Sequence, residues 1–308
     1  MKICVASPYP LSDLKGNSVT TERIVKILRK AGLDTRGSHG FDGLATDALI
    51  ALHAKKGAQA VVDYREAFPD GKLIVLLTGT DLYDDFPKGL GFESLEAADF
   101  IAITHEESRA MIPERFQEKV VVVPSSLEMP DISAAPESPP FAISVVGHLR
   151  PVKRSFLTIE AVAKNPDWEV EVWQLGEALD EESAATACAW QKKDSRYRWF
   201  GGLPREEGLR KCAASSLTVN SSILEGGANA VLEAMTMGVP ILASHIPGNI
   251  GLLGTEYPGY FQEGEIESKL AEILKNPSQL NQWTDLAAER LPVFSRESER
   301  EAWMKLLD

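Results

Sequence analysis

Short apolar runs alternate with amphipathic helical patterns along the chain, and the alternation is broken once. Runs at Lys2–Ser7, Ala48–Leu52, Leu73–Leu77, Phe100–Thr104 and Lys119–Val123 are separated by helical patterns at Ser18–Ala31, Lys55–Phe68, Phe92–Ala97 and Glu106–Ile112. Strands buried on both faces read as unbroken apolar runs, and helices between them are the crossovers of a parallel sheet. The segment PSSLEMPDISAAPESPP, Pro124–Pro140, holds five prolines and no periodicity, so it reads as a linker. A second series then opens. Its strands are expected at Phe141–Val146, Glu169–Gln174, Tyr197–Phe200, Ser216–Asn220 and Val239–Ser244. Its helices are expected at Ser155–Ala163, Glu181–Gln191, Glu206–Ala213, near Glu265–Leu274 and at Arg296–Leu307. The pattern predicts an α/β protein of two doubly wound, Rossmann-like domains: 1–124, a linker 125–140, 141–294, and a C-terminal helix 295–308 able to pack back on the first domain.

The length of 308 residues fits two cores better than one. A net charge of −13 argues against a nucleic-acid or anionic-membrane surface, which needs a basic patch. No apolar run nears the roughly 20 residues of a membrane helix. The opening MKICVASPYP is broken too early by prolines for a signal peptide and reads as a first strand. Cys4, Cys188 and Cys212 show neither metal nor disulfide spacing, so a reducing, cytoplasmic setting is expected.

In open α/β sheets ligands sit beyond the carboxyl ends of strands, and the chemistry-bearing residues cluster there. After the strand ending at Asn220 comes Glu225-Gly226-Gly227-Ala228-Asn229, followed by Ala-Val-Leu and Glu233. The glycine pair lets backbone amides at a helix N-terminus approach a phosphate. Two carboxylates eight residues apart can each accept a pair of sugar hydroxyls, spanning roughly 12 Å if wholly helical. A plain turn and a solvated helix face are the bland alternative, but Glu233 is embedded in apolar residues, where a carboxylate needs partners. The Val145–Ser155 segment, with Gly147, His148, Arg150, Lys153 and Arg154, offers cations for a diphosphate, against a merely solvated basic turn.

Four further segments end predicted strands. Gly16 and Asn17 bring backbone close to a ligand, with Ser18 as a helix cap. The absence of G-x-G-x-x-G there argues against a nicotinamide dehydrogenase. His53 follows Ala48–Leu52 and precedes Lys55 and Lys56. Thr78, Gly79, Thr80 and Asp81 form a turn able to bind a second substrate. Asp81, Asp84 and Asp85 lack a D-x-D pair and a histidine nearby in sequence, so no metal is expected. The turn at Gly248-Asn249 starts a short helix.

The two α/β halves, the G-x-L-x-P-x-K loop Gly147–Lys153 and the E-x7-E pair resemble the GT-B glycosyltransferases, in particular the family 4 group, over essentially the whole chain. The resemblance implies an interdomain cleft, an acceptor-side domain 1–124 and a nucleotide-sugar-binding domain 141–294. It also implies that Glu225 contacts the donor sugar, Glu233 the ribose and Lys153 the diphosphate. The group's loop arginine is replaced by His148, with Arg150 as a substitute. The segments LIALHAKKG, LTGTDLY, VGHLR, EGGAN, GNIGLLG and YPGYF are more specifically similar to the selenosugar synthases of selenoneine biosynthesis. That similarity implies transfer from UDP-N-acetylglucosamine or UDP-glucose to selenophosphate. His53, Arg150, Lys153 and Glu225 would then serve catalysis. Gly16, Asn17, Gly147, His148, Gly226, Gly227, Ala228, Asn229 and Glu233 would bind the donor. Lys55, Thr78, Gly79, Thr80 and Asp81 would bind the acceptor, with Lys15 and Lys56 adding charge. A hydroxyl acceptor, a UDP-sugar epimerase and a non-enzymatic nucleotide-binding module are the rival readings.

Overall fold

The structure, a computed structural model, describes residues 1–13, 16–130, 132 and 141–308. The chain divides into two compact units: Met1–Ser126 with Val293–Asp308, and Leu127–Pro292. Each contains a six-stranded sheet whose pairings are all parallel.

The first unit runs β1 (Lys2–Ser7), α1 (Gly16–Lys30), β2 (Asp34–His39), β3 (Ala48–Leu52), α2 (Ala58–Ala67), β4 (Lys72–Leu76), α3 (Phe92–Ala97), β5 (Phe100–Ile103) and β6 (Val120–Val122). Its strand order is β2-β1-β3-β4-β5-β6. The central β3, ALIAL, is buried at every position, as its uninterrupted apolar run requires. The edge strand β2, DTRGSH, was not legible as a strand. It pairs only with β1, and of its six residues only Thr35 is buried. The pattern at Glu106–Ile112 forms a 3₁₀ turn, Glu106–Met111.

The last helix, α11 (Arg296–Leu307), completes this unit. Trp303, Leu306 and Leu307 join the cluster built from Ile3, Val5, Ile24, Leu28 and Ile50. Lys72 Nζ donates to the Leu306 and Leu307 carbonyls at 3.1 and 2.9 Å, complementing the negative end of the helix. Glu299, 1 % exposed, pairs with Arg23 at 3.2 Å and accepts from the Ser126 amide at 2.7 Å.

The second unit runs β7 (Phe141–Val146), α4 (Leu157–Ala163), β8 (Val170–Leu175), α5 (Glu181–Lys193), β9 (Tyr197–Trp199), α6 (Arg205–Ala213), β10 (Leu217–Asn220), α7 (Asn229–Thr236), β11 (Ile241–Ser244), α8 (Pro247–Leu253), β12 (Tyr260–Phe261), α9 (Ile266–Lys275) and α10 (Gln279–Arg290). The order is β12-β11-β10-β7-β8-β9. Helix α10 escaped the sequence reading because only Leu280, Trp283 and Ala287 of its twelve residues are buried, too sparse a stripe for a clear period. The two-residue β12 is too short to show alternation.

Each sheet reverses its winding once: between β1 and β3 in the first unit, and between β7 and β10 in the second. At such a switch point the two following loops diverge and leave a crevice.

Candidate active site

At the switch of the second sheet, the loops after β7 and β10 are laced together. Ile223 N–H donates to the Val152 carbonyl at 2.9 Å, and Ser221 Oγ donates to the carbonyls of Lys153 and Arg154 at 2.9 and 3.1 Å. Arg154, in the left-handed region at φ 44°, returns a bond from Nε to the Ser221 carbonyl at 2.7 Å and pairs with Glu263. Glycine is obligatory beside this junction. A Cβ on Gly176, φ 153°, would stand 1.9 Å from the Gly147 carbonyl oxygen.

The lacing delivers Lys153 to Glu225. Lys153 Nζ forms an ion pair with Glu225 Oε1, and Ser222 Oγ donates to the same oxygen at 2.6 Å. Ser222 is in turn fixed by its carbonyl, which accepts from Ser244 Oγ at 2.5 Å; the Asn249 side-chain amide donates to the Ser244 carbonyl at 2.9 Å. Ser222 was not legible in the sequence, because serine after a strand is too common to signal a role; Asn249 was visible as part of the turn that starts α8, but not its bond to the Ser244 carbonyl.

Gly226 and Gly227, the latter at φ 147°, lead to Ala228 at the N-cap of α7 and to exposed Asn229, its first residue. Only the last part of the Glu225–Glu233 segment is therefore helical, which replaces the all-helix spacing. Glu233 lies inward on α7, and Arg205 NH2 approaches it to 3.4 Å. Burial pushes the Glu233 carboxyl above the ordinary glutamate range, while Arg205 pulls against that shift. His148 is exposed. Arg150 lines a cavity of about 440 Å³ with Arg154, Phe156, Asp180 and Ser183, which shares Ser155 with the small crevice lined by Gly147, Lys153 and Ser222.

At the switch of the first sheet, Gly16 and Asn17 open α1, and Ser18 lies inside that helix with its hydroxyl donating to the Pro10 carbonyl at 3.1 Å rather than capping. Lys15 falls outside the described residues. His53 ends β3 in the left-handed region, φ 71°, and is wholly buried. This strained turn delays α2 to Ala58. Gly57 is needed there, since a Cβ would meet the His53 carbonyl oxygen at 2.6 Å. His53 Nδ1 accepts from the Lys56 amide at 3.3 Å and lies 2.6 Å from Asp81 Oδ1. Nε2 lies 3.8 Å from Asp85 Oδ2, and Lys55 Nζ takes Asp85 Oδ1 at 2.7 Å. Asp81 also accepts from the Thr78 amide and hydroxyl at 2.8 and 3.1 Å, so its carboxylate faces the protein interior. Gly79 is half-buried and Thr80 exposed.

The fold thus supplies the histidine that the sequence spacing did not show beside the aspartates. His53, Asp81 and Asp85 are together able to hold a metal ion. Lys55 pairs with Asp85 at the edge of this cluster.

Two parallel, doubly wound six-stranded sheets are the GT-B architecture. The chain belongs to the family "Glycosyl transferases group 1", whose sequence model matches residues 125–290, and it is a glycosyltransferase. The same fold occurs in sucrose-phosphate synthase from Thermosynechococcus elongatus, with a TM-score of 0.79 at 12% identity, covering 100% of this chain and 98% of that one. Anabaena Alr3699/HepE, solved in complex with UDP and glucose, gives 0.70 at 16% identity, covering 100% and 99%. The lipopolysaccharide outer core galactosyltransferase WaaB gives 0.73 at 13% identity, covering 100% and 99%. Among the described residues no helix is long and apolar enough to cross a membrane.

Proposed function

We propose that this glycosyltransferase takes a UDP-sugar, UDP-N-acetylglucosamine or UDP-glucose, as donor and selenophosphate as acceptor. The observation that carries the donor half is the Lys153–Glu225–Ser222 cluster at the switch point. Glu225 would accept the donor sugar's hydroxyls and Glu233 those of the ribose. Lys153 and the amides of Gly226–Asn229 at the start of α7 would meet the diphosphate. Complexes of HepE with UDP-glucose on the same fold support a uridine donor. The acceptor half is supported by the motif resemblance and by Lys55, whose side chain is 45% exposed and offers a cation to a phosphate-like anion.

In the reaction, selenium attacks the anomeric carbon, the bond from that carbon to the diphosphate oxygen breaks, and UDP leaves. An ionised selenium nucleophile carries no proton to remove, so no general base is required. Rate enhancement then rests on orientation and on neutralising the departing diphosphate without a metal. The test is UDP release by the purified protein over a panel of donors and acceptors, with the product weighed by mass spectrometry. Selenophosphate should accelerate UDP release and yield a selenium-bearing sugar. Release that ignores selenophosphate but responds to a saccharide or other alcohol refutes the acceptor assignment. A changed sugar nucleotide without acceptor would mark an epimerase.

A further inference from the structure

Arg205 occupies a place that helix physics does not explain. It is the first residue of α6, directly after Pro204 at the N-cap. A cation there faces the positive end of the helix dipole, which costs a few tenths of a kcal/mol and is offset only if an anion is near. The anion is Glu233, carried by the adjacent α7, at 3.4 Å. The same NH2 group donates to the carbonyl of Glu128 at 3.1 Å, so the guanidinium is held from two sides. Its side chain is still 54% exposed, while Glu233 is only 16% exposed. This is a tethered cation reaching inward to a nearly buried carboxylate.

We infer that Arg205 is the positioning residue of the nucleoside subsite: it keeps Glu233 charged and aimed so that the carboxylate accepts the ribose hydroxyls of a nucleoside diphosphate. The inference rests on the donor reading given above. A carboxylate accepts two hydroxyl donors only when ionised, and burial works against ionisation at this position. Arg205 is the charged group opposing it. Cys212, also from α6, is the other titratable group coupled to Glu233, and it stays a neutral thiol because burial raises it as well. Of the other elements that pack on α7, β10, β11 and α8 carry no titratable residue, and α10 carries Asp285, Glu289 and Arg290, of which Arg290 donates to the Gly251 and Leu252 carbonyls.

The test is calorimetric binding of UDP and of 2′-deoxy-UDP to the full chain between about pH 5.5 and 8.5, for wild type, Arg205→Ala, Arg205→Lys and Glu233→Gln. Wild type should prefer UDP by about tenfold, the order expected for one hydroxyl paired with a carboxylate. Arg205→Ala should cut that preference to about twofold and weaken UDP binding by about tenfold at the acid end, less at the alkaline end. Arg205→Lys should restore part of the acid-end loss. A merely structural role would weaken both ligands equally at every pH. The inference is overturned if wild type shows the preference, Glu233→Gln abolishes it, and Arg205→Ala retains it with an unmoved acid limb. If wild type does not bind UDP, or Glu233→Gln keeps the full preference, the donor reading itself falls and takes this inference with it.

Discussion

Replacing Gly248 by alanine should disable the donor site from the far side of Glu225. Gly248 is the second residue of α8, and a Cβ there would stand 2.2 Å from the Glu225 carbonyl oxygen, 2.7 Å from its carbonyl carbon and 2.8 Å from its Cβ. None of these atoms can swing aside, because all are fixed to the backbone of Glu225. Ordinary contact begins at 3.4 Å, so α8 and the Glu225 peptide must separate by about 1.2 Å. Of the two partners of Glu225 Oε1, Lys153 Nζ comes from the loop after β7, and Ser222, three residues upstream in the same loop, is pinned through its carbonyl by Ser244 Oγ. A shift of about 1 Å carries the Ser222 bond past hydrogen-bonding range, and displacements of that size cost on the order of 100-fold in rate. Overpacking itself should cost about 1–3 kcal/mol. The assays are UDP affinity, steady-state turnover and thermal unfolding on the same preparation. Gly208→Ala, within α6 and meeting only Leu203 Cβ at 4.0 Å, is the control and should be neutral or stabilising by about 0.5–1 kcal/mol. A Gly248→Ala protein with wild-type turnover and melting temperature would refute the close-approach argument.

Two further outcomes concern stability. Burial raises the Glu233 carboxyl in the folded state, so its favourable contribution is present below the unfolded value and lost as pH rises through the folded one. At neutral pH the ionised group therefore costs stability, and Glu233→Gln should raise the melting temperature there by about 1–3 °C while removing the preference for UDP over 2′-deoxy-UDP; a lower melting temperature at neutral pH with no change in acid would contradict this. Glu299→Ala removes the acceptor for Arg23, Ser126 and Trp303 Nε1 and should destabilise the first unit by about 3 kcal/mol in urea titration, with an unchanged midpoint as the contrary result.

The ranges of β1, β3, β7, α3 and α11 follow directly from the amino-acid order, because buried parallel strands and well-patterned helices state their period locally. The polar edge strand β2 and the thinly apolar α10 do not, since both owe their form to what they pack against. His53 was visible as a residue at a strand end, but not its burial between Asp81 and Asp85, which removes its ring from the surface.

By itself the sequence determined two doubly wound α/β units and the residue types at their strand ends, because hydrophobic periodicity and glycine placement act over neighbouring positions. Only the tertiary structure decided which of those residues meet. Lys153 and Glu225 are 72 positions apart, and Arg205 and Glu233 are 28 apart. The physical reason is strand order: β10 lies beside β7 rather than beside β9, so the loops after two strands distant in sequence meet at one point and share one carboxylate.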